Sequence, residues 1–187
     1  AGFFDIVNVY TVVGGIAVVL LAYMHGLMFI SLKTVGALRE RAAASARKIY
    51  YALGAVLVLF VILTGVYTNA LAEKGAILIP LYGVVILLYL ALFGLMKKKK
   101  EGFSFTATGL MIILVTASFF VALFPNVMIS TTNAAYNLTV YNAASGDYSL
   151  KIMTIAAFTL VPIVLAYTVW NYYVFRKRIT DKEHLEY

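Results

Sequence analysis

The sequence contains no cysteine. Disulfide bonds, thiolate nucleophiles and cysteine-ligated metal centres are therefore excluded for this chain. Charge is also scarce, because Asp, Glu, Lys and Arg make up 12% of the 187 residues. That share is about half of what a soluble globular domain usually carries. Hydrophobic residues make up 63%, and this combination is typical of an integral membrane protein.

Five uncharged segments, each about 20 residues long, interrupt the polar sequence. A helix of that length rises roughly 30 Å, enough to cross the hydrocarbon core of a bilayer. The alternation of apolar and polar residues that a membrane β-barrel requires is missing. We predict an all-α integral membrane protein in a single domain over residues 1–187, with a four-helix bundle plus one additional helix. The five predicted transmembrane spans are 10–32, 51–71, 75–96, 103–124 and 152–175, and the predicted exterior loop is 125–151.

Basic residues are distributed unequally between the two sets of connections. Thirteen of the 15 lysines and arginines follow the first, third and fifth spans, and Lys74 and Lys151 fall on the other side. Cytoplasmic loops of membrane proteins carry an excess of Lys and Arg. The amino terminus is therefore predicted outside the cell and the carboxyl terminus in the cytoplasm.

Two of the basic connections have two interpretations. Residues 37–47 have good helix propensity, so they either extend the adjoining spans or lie along the membrane surface. Their arginines, like the four lysines at 97–100, either contact anionic lipid or form a solvated connection. We favour the solvated connection, since the topology alone requires a few basic residues at these places.

None of the five predicted spans contains Asp, Glu, Lys or Arg. Transporters and proton pumps usually mark their path with such residues, so this chain alone is a poor candidate for either. His25 does lie inside a span. We favour a neutral His25 that forms a hydrogen bond to a neighbouring helix, and a proton relay or quinone contact and a haem or metal ligand stay open. HExxH, Walker, GxGxxG and CxxC motifs are absent, so no catalytic residue or metal site is predicted.

Several separated segments carry a family resemblance. They are residues 33–36, 124–128, 137–139, 148–154, 161–163 and 175–179. In these segments the chain resembles the carboxyl-terminal part of subunit II of the cytochrome bd-type quinol oxidases. The order and spacing of the segments match along nearly the whole chain.

The resemblance implies an enzyme complex of the bacterial plasma membrane that oxidises quinol and reduces oxygen to water. It implies b-type and d-type haems in a partner, subunit I, and a non-haem-binding structural or assembly role for this chain among membrane lipids. It also implies a family chain about twice as long. The amino-terminal half of subunit II is then a further expected partner, because this chain is a split subunit, a nicked product or part of something longer.

An alternative function is a self-contained transporter or channel that acts as a homo-oligomer. The lack of ionisable residues in the spans counts against it. Nucleic acid is not an expected partner despite the net charge of +7, because the basic residues form short clusters between apolar segments and no basic face.

Overall fold

The computed structural model describes residues 7–130 and 133–177 of the chain. Contacts between residues divide the chain into two compact units. Among the described residues, the first contains 7–123, and the second contains 124–130 and 133–177. Each unit is described by itself. The single domain over residues 1–187 stays a prediction.

The first unit contains four long helices in a ring. They are α1 (Val9–Lys33), α2 (Gly36–Tyr67), α3 (Ala70–Lys97) and α4 (Glu101–Leu123). Each packs against the next, and α4 packs against α1, which closes the predicted four-helix bundle. All four, together with α5 (Asp147–Val174) of the second unit, are long and apolar enough to cross a membrane. The prediction of five transmembrane helices in an all-α membrane protein is therefore confirmed.

The core of the bundle combines large apolar side chains with small hydroxyl-bearing ones. The largest fully buried apolar residues are Met24, Leu53, Leu78, Leu92 and Met111. Four buried hydroxyls donate hydrogen bonds to carbonyls of the preceding helical turn, as that of Thr64 does to Phe60 at 2.8 Å. Polar groups in lipid must find partners within the protein. Among the described residues, no buried side-chain nitrogen or oxygen lacks one.

The connection between α1 and α2 is a turn of two residues, Thr34 and Val35. It ends at Gly36, which adopts a left-handed backbone with a φ of 64°, a conformation that glycine adopts without steric cost. From there α2 is continuous to Tyr67, so it begins at Gly36 rather than at Tyr51. Residues 37–47 thus extend the membrane helix, because their alanines and arginines are strong helix formers.

Helix α3 begins at Ala70 and is kinked at Lys74, whose φ and ψ are −127° and 18°. The Lys74 ammonium donates hydrogen bonds to the carbonyls of Val121 and Ala122, both at 3.0 Å. These carbonyls lie in the last turn of α4, where helical backbone acceptors lack partners and the helix dipole is negative. Lys74 therefore caps α4 from a neighbouring helix.

The second unit contains a short hairpin and the fifth helix. Strand β1 (Asn126–Met128) pairs antiparallel with β2 (Leu138–Thr139) within the region predicted as an exterior loop. Helix α5 contains Pro162 without interruption. After it, the Arg176 guanidinium lies 4.1 Å from the Tyr173 ring centroid. Arg178 and Lys182, both counted in the charge asymmetry, lie outside the described residues.

Candidate functional site

The candidate residue His25 faces helix α4. Its Nδ1 lies 2.8 Å from the hydroxyl oxygen of Thr108. Its ring stacks on Phe105, with the ring centroids 4.4 Å apart and the planes 22° from parallel. A methyl group built on Gly109 would lie 3.4 Å from the His25 ring, an ordinary van der Waals distance, so the imidazole packs close beside this glycine. The favoured hydrogen bond to a neighbouring helix is present.

The hydrogen bonds of Thr108 indicate which ring nitrogen of His25 carries a proton. The Thr108 hydroxyl lies within donating distance of two backbone carbonyls, those of Phe105 at 2.9 Å and Ser104 at 3.2 Å. Since a hydroxyl has a single proton to donate, donation to the backbone leaves its oxygen as the acceptor for His25. The geometry thus favours a proton on Nδ1 of His25, which donates to Thr108.

Ligation of a metal or haem at His25 would need further ligands. Within residues 7–130 and 133–177, no group of three His, Cys, Asp or Glu side chains could hold a metal ion. Met24 and Met28, the nearest methionines in sequence, both belong to the buried core of the bundle. One face of the imidazole is covered by Phe105. No second axial ligand is therefore assigned. The haem or metal ligand and the relay or quinone contact at His25 both stay predictions.

A cavity of about 620 Å³ opens at the end of the bundle where α1 and α3 end and α2 and α4 begin. Its wall includes more basic than acidic side chains, and Arg39 of α2 forms an ion pair with Glu101 of α4. The Lys97 ammonium lies 4.5 Å from the centre of the Phe93 ring. The basic residues of the connections after the first and third spans lie together at this end of the bundle. We call it the basic cavity.

Two tyrosines connect α2 and α3 beside the basic cavity. Tyr50 and Tyr89 stack with ring centroids 4.3 Å apart, and each hydroxyl donates to the backbone carbonyl of the other residue. Gly54 gives Tyr89 its space, since an added methyl group would lie 2.1 Å from the Tyr89 hydroxyl oxygen. Tyr89 carried a signal for this contact, because a phenol inside an apolar span needs a partner.

Known proteins resemble this chain over nearly its whole length. The family model for cytochrome bd terminal oxidase subunit II matches residues 1–175. The chain belongs to this family. The relationship confirms the resemblance seen in the separated sequence segments. Together with the five membrane-length helices, it identifies a multi-pass protein of the bacterial plasma membrane.

Three relatives illustrate the relationship. Cytochrome bd ubiquinol oxidase subunit 2 of Bacillus subtilis is 44% identical over 183 residues, which are 98% of this chain and 54% of the relative. Cytochrome bd-I ubiquinol oxidase subunit 2 of Escherichia coli K12 is 32% identical, covering 98% of this chain and 56% of the relative. A probable cytochrome oxidase subunit 2 of Haemophilus influenzae is 25% identical, with 91% and 52% covered.

This chain therefore spans about half the length of the curated relatives that it matches. The comparisons give no support to the prediction that the other half of subunit II is a separate chain.

Proposed function

We propose that this chain is a non-haem-binding structural part of subunit II in a quinol oxidase that oxidises quinol and reduces oxygen to water. The names of the relatives support the reaction, because two of them are subunits of ubiquinol oxidases. The haems are then held by subunit I. The observation that carries the structural role is the four-helix bundle itself, a ring of apolar helices.

The packing of the bundle supports this role. Its core is filled by side chains such as Met24, Leu92 and Met111, which are fully buried. A core filled with such apolar side chains stabilises a fold, and the charged residues that usually mark a proton path are absent from the five predicted spans. The residues that perform the reaction are therefore expected in the partner. This subunit would hold that partner in the bilayer.

A purification through this chain tests the proposal. An affinity tag on this subunit should recover, in mild detergent, a complex that absorbs as b-type and d-type haem. The same tagged chain produced without subunit I should be colourless. Haem in the isolated chain would contradict the non-haem role. A haem-free native complex, or solute movement by the isolated chain in liposomes, would favour the alternative of a homo-oligomeric transporter or channel.

We also propose that the basic cavity lies on the cytoplasmic side, as the excess of Lys and Arg there suggests. The absence of cysteine makes a direct test possible, because single cysteines can be introduced. Lys98 lies at the basic end of the bundle and Asn142 lies in the connection before α5, and both side chains are exposed. Each is replaced by cysteine in a separate variant, Lys98→Cys or Asn142→Cys. A membrane-impermeant maleimide should label Asn142→Cys in intact cells and Lys98→Cys only after the membrane is opened. The reverse pattern would invert the topology.

A further inference from the structure

The basic cavity has an excess of positive charge. Five basic and two acidic side chains line it. One arginine is already matched by a carboxylate, since Arg39 pairs with Glu101. The other four basic residues face a single further carboxylate, that of Glu40, and within the described residues none of the four forms an ion pair. These four residues are Arg47, Lys97, Lys99 and Lys100. The cavity therefore favours an anion.

The inner wall of the same cavity is apolar and aromatic. It includes Met28, Tyr50, Phe93 and Met96, which belong to the first three helices of the bundle. The volume of about 620 Å³ is within the usual range of ligand sites, about 300–1,000 Å³. A ligand that fills this space must carry a negative group at the basic mouth and an apolar group toward the membrane. It is therefore an amphiphile.

A second, apolar groove lies farther along α2 and α3, with contributions from α1 and α4 to its lining. It has a volume of about 370 Å³ and is lined by residues that include Leu57, Val85 and Tyr89. Residues of α2 and α3 at its mouth expose between 54% and 62% of their surface; they are Val58, Ile62, Ile86 and Leu90. Such a groove, open on the apolar flank of a membrane bundle, fits a hydrocarbon chain.

We propose that the basic cavity binds the phosphate of an anionic phospholipid, whose acyl chain lies in the groove between α2 and α3. Basic pockets between transmembrane helices are sites for anionic lipid headgroups. The groove argues for a lipid over a free phosphate ion, because inorganic phosphate has no apolar part to place there. The Tyr50–Tyr89 pair lies between the headgroup and chain sites, since Tyr50 lines the cavity and Tyr89 lines the groove. This site is independent of which subunit carries the haems.

Charge-removing variants test the headgroup site. Arg47→Gln and Lys99→Gln each remove a positive charge from the cavity wall while keeping a polar side chain of moderate length. Lys48→Gln and Lys98→Gln are the matched controls, because they are sequence neighbours that are exposed and do not line the cavity. A charge near an anionic lipid surface contributes enough to change affinity about fivefold. The double variant should therefore bind anionic lipid roughly thirtyfold more weakly.

The measurement is a native mass spectrometry titration of the purified complex with phosphatidylglycerol. Phosphatidylcholine with the same acyl chains and inorganic phosphate serve as the other probes. Selective phosphatidylglycerol binding that falls in the cavity variants and persists in the controls supports the proposal. Equal loss in cavity variants and controls, or equal binding of phosphatidylcholine, overturns it. Displacement of the lipid by excess inorganic phosphate would identify a free-anion site instead. If the variant that combines Arg47→Gln and Lys99→Gln fails to assemble, each single variant should still bind phosphatidylglycerol about fivefold more weakly, and unchanged binding in both would overturn the proposal.

Discussion

Tyr50 and Tyr89 lie face to face across α2 and α3, and each phenol donates a hydrogen bond to the backbone carbonyl of the other. The two bonds differ in length, since the Tyr89 hydroxyl lies 2.8 Å from its acceptor and the Tyr50 hydroxyl lies 3.2 Å from its own. This reciprocal arrangement connects two helices that otherwise have few contacts, with an apolar groove beside them. It should therefore contribute measurably to the stability of the bundle.

Removing the shorter of the two bonds should destabilise the bundle. Hydrogen bonds between membrane helices contribute about 0.6 kcal/mol on average and up to about 1.7 kcal/mol. We expect Tyr89→Phe to lower the free energy of unfolding by about 1 kcal/mol, and Tyr50→Phe to lower it less. Denaturant titration of the complex in mixed micelles measures both. Tyr51→Phe is the control, because Tyr51 is 65% exposed. An effect of Tyr51→Phe as large as that of Tyr89→Phe would contradict the assignment.

A methyl group at Gly54 should disrupt the same pair. Since the added carbon of Gly54→Ala would lie 2.1 Å from the Tyr89 hydroxyl oxygen, the ring must move and its hydrogen bond is lost. Overpacking of this kind costs about 1–3 kcal/mol. Gly83→Ala and Gly94→Ala on α3 are matched controls, because no atom lies within 4 Å of the added carbon. In a thermal unfolding experiment, the midpoint temperature should fall for Gly54→Ala and not for the two controls. A Gly54→Ala variant as stable as the controls would show that the ring does not occupy this space.

The hydroxyl of Thr108 should matter to His25. Thr108→Val keeps the shape of the side chain but leaves the Nδ1 proton of His25 without its acceptor. An unsatisfied buried donor costs about 1–3 kcal/mol. Thr108→Ser keeps the hydroxyl and serves as the control. We expect the unfolding free energy to fall in Thr108→Val and to change little in Thr108→Ser. Equal stability of the two variants would mean that the 2.8 Å contact contributes nothing.

A separate measurement distinguishes packing from proton transfer at His25. His25→Asn keeps a donor nitrogen near the position of Nδ1 but cannot accept and release protons near neutral pH. If His25 serves packing, as its contacts with Thr108 and Phe105 indicate, quinol oxidation by the assembled complex should be unchanged. A large loss of turnover in a variant of normal stability and haem content would instead support the relay or quinone contact.

Lys74 should stabilise the end of α4. Its ammonium satisfies two terminal carbonyls, those of Val121 and Ala122, and a cation at a helix carboxyl terminus also interacts favourably with the dipole. Lys74→Met should therefore lower the unfolding free energy by about 1–2 kcal/mol. Lys48→Met removes the same charge at an exposed position inside α2 and should have little effect. Similar losses in both variants would point to net charge rather than capping.

The membrane helices could be predicted from the sequence because a bilayer requires long uncharged segments. Their ends could not be predicted as well. Helix α2 begins at Gly36, and the sequence left open whether residues 37–47 extend the spans or lie along the membrane surface, because hydropathy does not register a helix that continues into water. The hairpin of β1 and β2 was also missed, because its strands of three and two residues are too short for an alternating pattern.

The candidate site was only half predictable. His25 could be identified as a polar group inside a span, which needs a partner on another helix. Thr108 could not be assigned as that partner, because the two residues are 83 positions apart and the rotation of each helix depends on the packing of the whole bundle. The role of Lys74 was missed for the same reason. Its sequence position suggested a topological charge, whereas its contacts make it a cap for α4.

Lys99 has a backbone φ of 52°, the left-handed region that costs a side-chain-bearing residue roughly 1–2 kcal/mol. Glycine would adopt this turn without that strain. The same lysine contributes its charge to the basic cavity. Stability and ligand affinity therefore oppose each other at this position: a Lys99→Gly variant should unfold at a higher temperature and yet retain less anionic lipid. The turn between α3 and α4 would thus be a place where tighter binding is obtained by accepting a less relaxed backbone.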